Sequence, residues 1–223
     1  MLWSAECAVV TGSSSGIGRA LVEALAARGA RVAHCSRRGT GGGLVCDVRD
    51  EAQVADFAER VRRELGTPTI VVNNAGIGKF APVAEMSVEM WDAVIETNLR
   101  GMFLVTRAFL PAMLAAGRGA IVNIASSAAR TGREGGGAYS ASKHGVLGSS
   151  KSLMLEVRQR NLRVLAVCPG SVDTEFWLAP GIQPIPADRM LQPEDVAEIV
   201  LDTIALPDRA MVSELDIRPT NPG

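Results

Sequence analysis

The chain has 223 residues, of which 47% are hydrophobic and 21% charged, and its formal net charge is −1. This size and composition are typical of one globular domain and exclude a disordered chain. The sequence has no basic excess and no basic patch, because the arginines are spread along the chain among acidic residues. A nucleic-acid partner is therefore not expected.

Apolar strand-like runs alternate with segments of helical periodicity. The predicted strands are residues 8–10, 31–35, 44–46, 70–72, 120–124, 164–168 and 211–217. The predicted helices are residues 17–27, 50–65, 88–115, 141–160 and 193–205, the third being interrupted near Asn98 and Gly101. Alternation of this kind predicts right-handed β-α-β units and a parallel sheet with helices on both faces.

The start of the chain and its cysteines bear on location. Residues 1–7 lack the basic and apolar regions of a signal peptide, and no apolar run approaches the ~20 residues of a membrane span. We therefore expect a cytoplasmic protein that has no membrane partner. The cysteines form no C-x-x-C pair, so no metal site is predicted and each is expected to be a buried thiol. They are Cys7, Cys35, Cys46 and Cys168.

A glycine-rich turn lies between the first predicted strand and the first predicted helix. Gly12, Gly16 and Gly18 follow Thr11 with the spacing Gly-x-x-x-Gly-x-Gly. In this context the first glycine permits a sharp turn, the second lets the backbone approach a pyrophosphate, and the third lets helix and strand pack closely. The helix N-terminus offers free N–H groups to phosphates. The turn thus predicts a dinucleotide site; the alternative is a connecting turn without a ligand.

With this turn, the chain resembles the short-chain dehydrogenase/reductase family over essentially its full length. The other matching positions are Asn73, Asn74, Ala75, Gly76, Asn98, Ser126, Tyr139, Lys143, Pro169, Gly170, Ser171, Val172 and Thr174. The glycine spacing disfavours the extended members of that family, such as epimerases and dehydratases. The resemblance implies an α/β fold: a Rossmann-type doubly wound parallel sheet of about seven strands in a single domain, residues 1–223.

The resemblance also implies which residues bind a nicotinamide cofactor. The residues at the end of the second strand are considered separately below. The others are Gly12, Ser14, Ser15, Gly16, Ile17, Gly18, Asn74, Ala75, Gly76, Tyr139, Lys143, Pro169, Gly170, Val172 and Thr174. By the same resemblance, the carboxylate of Asp47 accepts a hydrogen bond from the adenine amino group, and Val48 lies beside the ring. The alternative for Asp47 is a turn cap before Asp50.

The end of the second strand indicates which nicotinamide is used. Ser36, Arg37 and Arg38 stand there, with no carboxylate to hold the ribose 2′-hydroxyl of NAD. An arginine offers a planar charged fork to a 2′-phosphate and Ser36 adds a hydroxyl, so NADP(H) is favoured over NAD(H). The alternative is that both arginines are loop charges in solvent. Residues 39–43 replace the helix that family members usually have here, so which arginine meets the phosphate stays open.

Tyr139 and Lys143 are four residues apart, so on a helix they share one face. A free phenol titrates near ~10, and a nearby ammonium lowers its pKa. The pair therefore suits a general acid for carbonyl reduction or a base for alcohol oxidation, the alternative being an amphipathic surface helix. By resemblance, Lys143 also holds the nicotinamide ribose, Ser126 binds the substrate oxygen, and Asn98 anchors a proton-relaying water. Ser127 is a lesser rival to Ser126.

Three other reactive side chains are interpreted as structural. His34 and His144 lack an orienting partner in the sequence, and Cys168 lacks a basic neighbour.

The segment after Thr174 follows a strand, and ligands bind outside the carboxyl ends of parallel strands. A lid over about residues 174–192 would bring Phe176 and Trp177 to the substrate as an apolar wall. The alternative is an exposed, partly disordered loop. Further residues of this segment are Leu178, Pro180, Gly181, Pro184 and Pro186.

The leading hypothesis is an NADP(H)-dependent carbonyl reductase or alcohol dehydrogenase with a small-molecule substrate. Two others stay open: a 3-oxoacyl-carrier-protein reductase, with Arg130 and Arg133 as the nearby docking charges, and a non-catalytic NADP(H)-sensing protein. By resemblance, the chain forms a homodimer or homotetramer through the helices containing Asn98 and Tyr139. The apolar residues there that serve either core or interface are Phe103, Val105, Val146, Leu147 and Leu153.

Overall fold

The computed structural model describes residues 2–182 and 185–221. The strands are Cys7–Thr11 (β1), Arg31–Ser36 (β2), Leu44–Val45 (β3), Ile70–Asn73 (β4), Gly119–Ile124 (β5), Leu162–Pro169 (β6) and Glu214–Ile217 (β7). The α-helices are Gly16–Ala27 (α1), Glu51–Leu65 (α2), Val88–Ile95 (α3), Gly101–Ala116 (α4), Gly137–Val157 (α5) and Pro193–Ile204 (α6). Within the described residues the strands pair in parallel in the order β3-β2-β1-β4-β5-β6-β7. The predicted doubly wound fold is confirmed.

Helices cover both faces of the sheet. Successive side chains of a strand point to opposite sides, so a strand that is apolar throughout needs packing partners on both faces. On one face Val9 packs in a cluster with Phe57 of α2 and Phe109 of α4. On the other face Val10 packs with Leu21 of α1 and with residues of α6. Because helices cover both of its sides, β1 is buried at every residue.

Two predicted boundaries are wrong. Helix α5 begins at Gly137, four residues earlier than expected, because the turn at residues 135–136 already leads into it; Tyr139 therefore lies in its first turn. Strand β7 begins at Glu214 and not at Met211, because its pairing with β6 starts opposite Ala166.

The long third helix is interrupted as predicted. A π turn at Glu96–Arg100 separates α3 from α4. The combined segment Val88–Ala116 is long and apolar enough to cross a membrane by length and composition, although charged residues divide it into apolar runs shorter than a membrane span. Leu104, Phe109 and Met113 on this helix are buried against the sheet. Core packing thus accounts for part of this segment, since 28% of its apolar stretch is buried.

The connection from β2 to β3 contains only a short 3-10 turn, Thr40–Gly42, in place of an α-helix. Gly39 adopts a left-handed φ of 61° at its start. The short connection brings β3 directly beside the end of β2, at the edge of the sheet.

The four cysteines are free and buried, as expected: Cys7, Cys35, Cys46 and Cys168. In the part of the chain that the structure describes, no group of three or more His, Cys, Asp or Glu residues is placed to hold a metal ion.

Candidate active site

A cleft of about 1070 Å³ opens at the carboxyl ends of the central strands. It is lined by all the residues predicted to bind the cofactor except Gly18, and by Ser126, Tyr139 and Lys143. Phe176 and Trp177 line it too. The fourth predicted catalytic residue, Asn98, lies behind the lining. Residues from distant parts of the sequence therefore meet at one site because parallel strands end at the same edge of the sheet.

The glycine-rich turn joins β1 closely to α1. Gly12 has a left-handed φ of 69°, and a Cβ there would lie 2.7 Å from Cα of Ala75. A Cβ at Gly18 would lie 2.3 Å from the carbonyl oxygen of Gly12, closer than any side chain tolerates. These contacts leave no room for a larger residue. They hold the first turn of α1 at the cleft, where its N–H groups have no partner within the helix.

Thr11 and Asn74 bind the turns after β1 and β4 to one another. The hydroxyl oxygen of Thr11 accepts hydrogen bonds from the backbone N–H groups of Asn74 and Ala75, each at 3.1 Å. The side-chain amide of Asn74 donates to the carbonyl oxygens of Thr11 and Gly12 at 3.0 and 3.1 Å. Neither contact is visible in the sequence, although both residues belong to the motifs.

The end of β2 presents positive charge to the cleft. Arg37 and Arg38 are exposed and line it, and Arg38 lies 4.0 Å from the carboxylate of Glu175. The hydroxyl oxygen of Ser36 accepts a hydrogen bond from the N–H of Gly39 at 3.0 Å. Its own hydroxyl hydrogen thus remains able to donate to a ligand.

Asp47 forms the turn that was considered as the alternative for it. Its carboxylate accepts hydrogen bonds from the backbone N–H of Arg49 at 3.0 Å and from the guanidinium, whose Nη2 lies at 2.6 Å. Hydrogen bonding from Arg49 lowers the pKa of Asp47, and the charge of Arg37 adds to this effect. Asp50 caps α2. Sequence reasoning missed Arg49, which compensates the carboxylate charge.

Ser126, Tyr139 and Lys143 meet at the other end of the cleft. Ser126 caps the 3-10 turn Ser127–Ala129 after β5. The ammonium of Lys143 is buried, donates to the carbonyl oxygen of Ile124 at 2.7 Å, and lies 5.8 Å from the ring centroid of Tyr139.

Burial controls the protonation of this group. It lowers the pKa of Lys143 to about 8 and raises the pKa of Tyr139 above its ordinary value. The side chain of Ser126 and the charge of Arg133 partly oppose the increase at Tyr139. The expectation that Lys143 lowers the pKa of Tyr139 is wrong in this structure, because the ammonium is bound to Ile124 and faces the ring. Tyr139 therefore holds its proton at neutral pH.

Asn98 is placed at the π turn with every side-chain polar atom engaged. Its carbonyl oxygen accepts from the N–H of Ile77 at 2.8 Å, and its amide donates to the Ile77 carbonyl at 2.9 Å and to the Ser142 hydroxyl at 3.0 Å. The Ser142 hydroxyl donates in turn to the carbonyl of Tyr139 at 2.7 Å. Asn98 thus connects two segments that line the cleft. Ser142 was missed because one serine in a helix has no distinguishing pattern.

An aromatic cluster covers Tyr139. Phe176 lies in the short 3-10 helix Glu175–Leu178, and its ring centroid is 5.3 Å from that of Tyr139. The ring centroid of Phe80 is 5.7 Å from that of Tyr139. Trp177 donates from its indole nitrogen to the carbonyl of Val172 at 2.8 Å. Phe80 was missed because nothing in its sequence surroundings relates it to the site. Residues 183–184 of the predicted lid, including Pro184, lie outside the described residues.

Two residues interpreted as isolated have partners in the structure. The guanidinium of Arg130 is near the thiol of Cys168, so the expectation that this cysteine lacks a basic neighbour is wrong. Burial still raises the pKa of Cys168, which favours the unreactive thiol. The ring of His34 lies 2.8 Å from the hydroxyl of Ser13, and burial lowers its pKa. These contacts fit the structural roles expected for both.

Comparison with known proteins identifies the family. The model of the short chain dehydrogenase family matches residues 6–179. The chain belongs to this family, whose members are oxidoreductases that use a nicotinamide cofactor.

Individual relatives cover nearly the whole chain. D-threitol dehydrogenase of Mycolicibacterium smegmatis is 38% identical over 95% of this chain and 90% of that protein. The 3-oxoacyl-acyl-carrier-protein reductase of Escherichia coli is 36% identical over 90% of each. Among solved structures, an alcohol dehydrogenase from the archaeon Thermococcus sibiricus, complexed with 5-hydroxy-NADP, has a TM-score of 0.86 at 29% identity and covers 96% of this chain and 97% of its own. Ligand-free aldohexose dehydrogenase of Thermoplasma acidophilum has a TM-score of 0.82 at 29% identity, covering 95% and 92%.

Proposed function

We propose that the protein transfers a hydride between NADP(H) and a carbonyl or alcohol substrate, with Tyr139 as the general acid or base. The observation that carries this proposal is the single cleft that joins the glycine-rich turn to Ser126, Tyr139 and Lys143. A nicotinamide bound there would supply or accept the hydride. The chain's own residues would bind it, orient the substrate and move the proton.

The residues present fit such a cofactor. The turn around Gly12 and Gly16 admits no side chain where a pyrophosphate would approach, and the N-terminus of α1 offers N–H donors and a positive dipole end. The turn after β4 and the turn after β6 supply the opposite wall. Their residues in the lining are Asn74, Ala75, Gly76, Pro169, Gly170, Val172 and Thr174.

Charge supports NADP(H) over NAD(H). The end of β2 carries Arg37 and Arg38 with the Ser36 hydroxyl, and no carboxylate of its own. The carboxylate of Asp47, which also lines this wall, is paired with Arg49. Arg37 and Arg38 are exposed where a 2′-phosphate would lie. Arg37, which has no carboxylate within 4.0 Å among the described residues, is the better candidate because Arg38 lies beside Glu175.

Tyr139 suits proton donation. Its raised pKa keeps the phenol protonated at neutral pH, as a general acid for carbonyl reduction requires. The hydroxyl of Ser126 would hold the substrate oxygen beside it. Lys143, fixed by Ile124, would bind the ribose hydroxyls and hold positive charge behind the phenol. Asn98 would keep this wall in place.

Calorimetry with NADPH and NADH tests the cofactor part of the proposal. Wild type is expected to bind NADPH more tightly, and Arg37→Ala to lose most of that preference, about 10- to 100-fold, because a charge-assisted contact to phosphate is lost. Arg38→Ala is the matched variant and should lose less. Equal binding of NADPH and NADH by wild type would contradict the choice of cofactor.

Tyr139→Phe tests the chemistry with the same preparation. It should still bind NADPH, because most of the proposed cofactor contacts come from other residues, yet reduce carbonyl compounds at least about 100-fold more slowly, since a general acid contributes about 10²–10⁴-fold. Ser126→Ala should also be slow, whereas Ser127→Ala should not. A Tyr139→Phe variant with the activity of wild type would overturn the catalytic assignment and favour a non-catalytic, NADP(H)-sensing protein.

A 3-oxoacyl-carrier-protein reductase is the second candidate, favoured by the relative of that activity. The docking charges expected for it are only partly available. The guanidinium of Arg130 is bound to the carboxylate of Glu214 at 2.7 Å, which leaves Arg133 as the available one of the two. Rapid reduction of a carrier-protein thioester, together with slow reduction of free carbonyl compounds, would favour this candidate.

A further inference from the structure

Arg133 is held at the substrate end of the cleft by two aromatic rings. Its guanidinium carbon lies 5.1 Å from the ring centroid of Phe80 and 5.4 Å from that of Trp177. The rings come from separate loops, and Trp177 is itself fixed by its hydrogen bond to Val172. An exposed arginine is ordinarily free to move, whereas cation–π contacts to two rings favour one position for this one.

The contacts leave the hydrogen-bonding edges of Arg133 available. Among residues 2–182 and 185–221, no carboxylate lies within 4.0 Å of its guanidinium, and the guanidinium donates no hydrogen bond. A guanidinium directs its N–H groups outward in its own plane, where they can donate to a ligand. Arg133 therefore offers a charged, oriented donor pair with no ligand from the described chain.

This donor pair lies close to the reacting group. Phe80, which supports Arg133, is also in contact with Tyr139, and Phe176 packs against both Phe80 and Tyr139. The charge of Arg133 is near enough to act on the Tyr139 phenol. Lys143, the other cation at this end of the cleft, is already bound to Ile124. Among the described residues that line this end of the cleft, Arg133 is thus the cation left without a partner, and a substrate whose carbonyl reaches Tyr139 would extend toward it.

We propose that Arg133 binds a carboxylate of the substrate, so that the protein acts on oxo acids and the corresponding hydroxy acids. This inference rests on the proposed function. A carboxylate matches the fork of one guanidinium with two parallel hydrogen bonds. In reduction, the carbonyl carbon gains a hydride from NADPH and the oxygen gains the phenolic proton of Tyr139. The products are the hydroxy acid, whose carboxylate stays bound to Arg133, NADP⁺ and the Tyr139 phenolate, which regains its proton from solvent.

Matched substrate pairs test this role. Each 2-, 3- and 4-oxo acid would be compared with its methyl ester, which keeps the ketone and removes the charge. Wild type should prefer at least one acid over its ester. Arg133→Gln should raise KM for that acid by about 10- to 100-fold, because a charge-assisted pair is lost, and change KM for the ester less than about twofold. Arg133→Lys should restore part of the preference, and Arg60→Gln, a surface variant on α2, should leave it intact.

A binding measurement separates this inference from the proposed function. NADP⁺-loaded Tyr139→Phe would be titrated with the hydroxy acid by calorimetry, with and without Arg133→Gln. Binding that depends on Arg133 supports the inference independently of turnover. Equal losses for acid and ester would show that Arg133 only supports the aromatic cluster, and would overturn it. Reduction of neutral ketones or a carrier-protein thioester, without binding of any acid, would overturn it while upholding NADP(H)-dependent reduction.

Discussion

Burial of Lys143 costs folding free energy at neutral pH. Its pKa falls from 10.5 to about 8, so the folded protein binds this proton less tightly than the unfolded chain does. The penalty is full below about pH 8 and is relieved as the pH rises toward the pKa of the unfolded state. A shift of this size corresponds to about 3 kcal/mol. The site therefore keeps a buried charge that stability alone would not favour.

Lys143→Met tests this penalty through its pH dependence. The variant loses the hydrogen bond to Ile124 at every pH, but only wild type carries a titrating charge. The free energy of unfolding of wild type should thus rise relative to that of Lys143→Met by about 1–3 kcal/mol between about pH 7 and about pH 9.5, measured by urea denaturation. Lys151→Met, an exposed control on the same helix, should show no such trend. Parallel curves for wild type and Lys143→Met would refute the buried charge.

At the scale of elements, the contact between α1 and β1 depends on one glycine. A Cβ at Gly18 would meet the Gly12 carbonyl oxygen at 2.3 Å and the Asn74 amide at 2.4 Å. The Gly12 carbonyl is backbone and cannot rotate away, so the helix itself would have to move. That movement would displace the N–H groups proposed to bind the pyrophosphate.

Gly18→Ala should therefore lower the free energy of unfolding by about 2–3 kcal/mol and weaken NADPH binding, both measured on the purified variant. Gly148→Ala is the matched control, since Gly148 lies in α5 with nothing within 4 Å of the added methyl. It should gain up to about 1 kcal/mol, because alanine favours a helix over glycine. A stable Gly18→Ala that binds NADPH normally would disprove this close packing.

What the sequence predicts at this scale follows from local patterns. Hydrophobic period and glycine punctuation locate the strands and α-helices of the described residues to within a few residues, and the family resemblance brings Ser126, Tyr139 and Lys143 together in advance. The start of α5 was missed because residues 135–137, all glycine, carry no hydrophobic pattern. Phe80 and Arg133 depend on contacts between loops that are distant in sequence, so no spacing rule relates them.

At the scale of the whole molecule, the structure separates core from surface on the two long helices. Val105, Val146 and Leu147 are buried, and Leu153 packs partly buried against the core. Phe103 of α4 instead remains 52% exposed. Leu155 of α5 is 59% exposed, and Trp91 and Val88 of α3 are exposed as well. Burial within one chain therefore assigns Val105, Val146 and Leu147 to the core, which the sequence left open, and leaves Phe103 at the surface.

The apolar surface that remains on α4 and α5 leads to the last prediction. Large exposed apolar side chains commonly mark contacts between proteins, and these helices are the ones expected to join protomers. Wild type should sediment as a dimer or tetramer. Phe103→Asp should shift it to a smaller species, because a carboxylate buried in an apolar contact loses its hydration without a partner. Leu2→Asp, at an exposed leucine beside Trp3 on the opposite face of the sheet, is the control and should keep the wild-type mass. Unchanged sedimentation of Phe103→Asp would place the contact elsewhere, and a monomeric wild type at all concentrations would leave this apolar surface exposed to solvent in the folded protein.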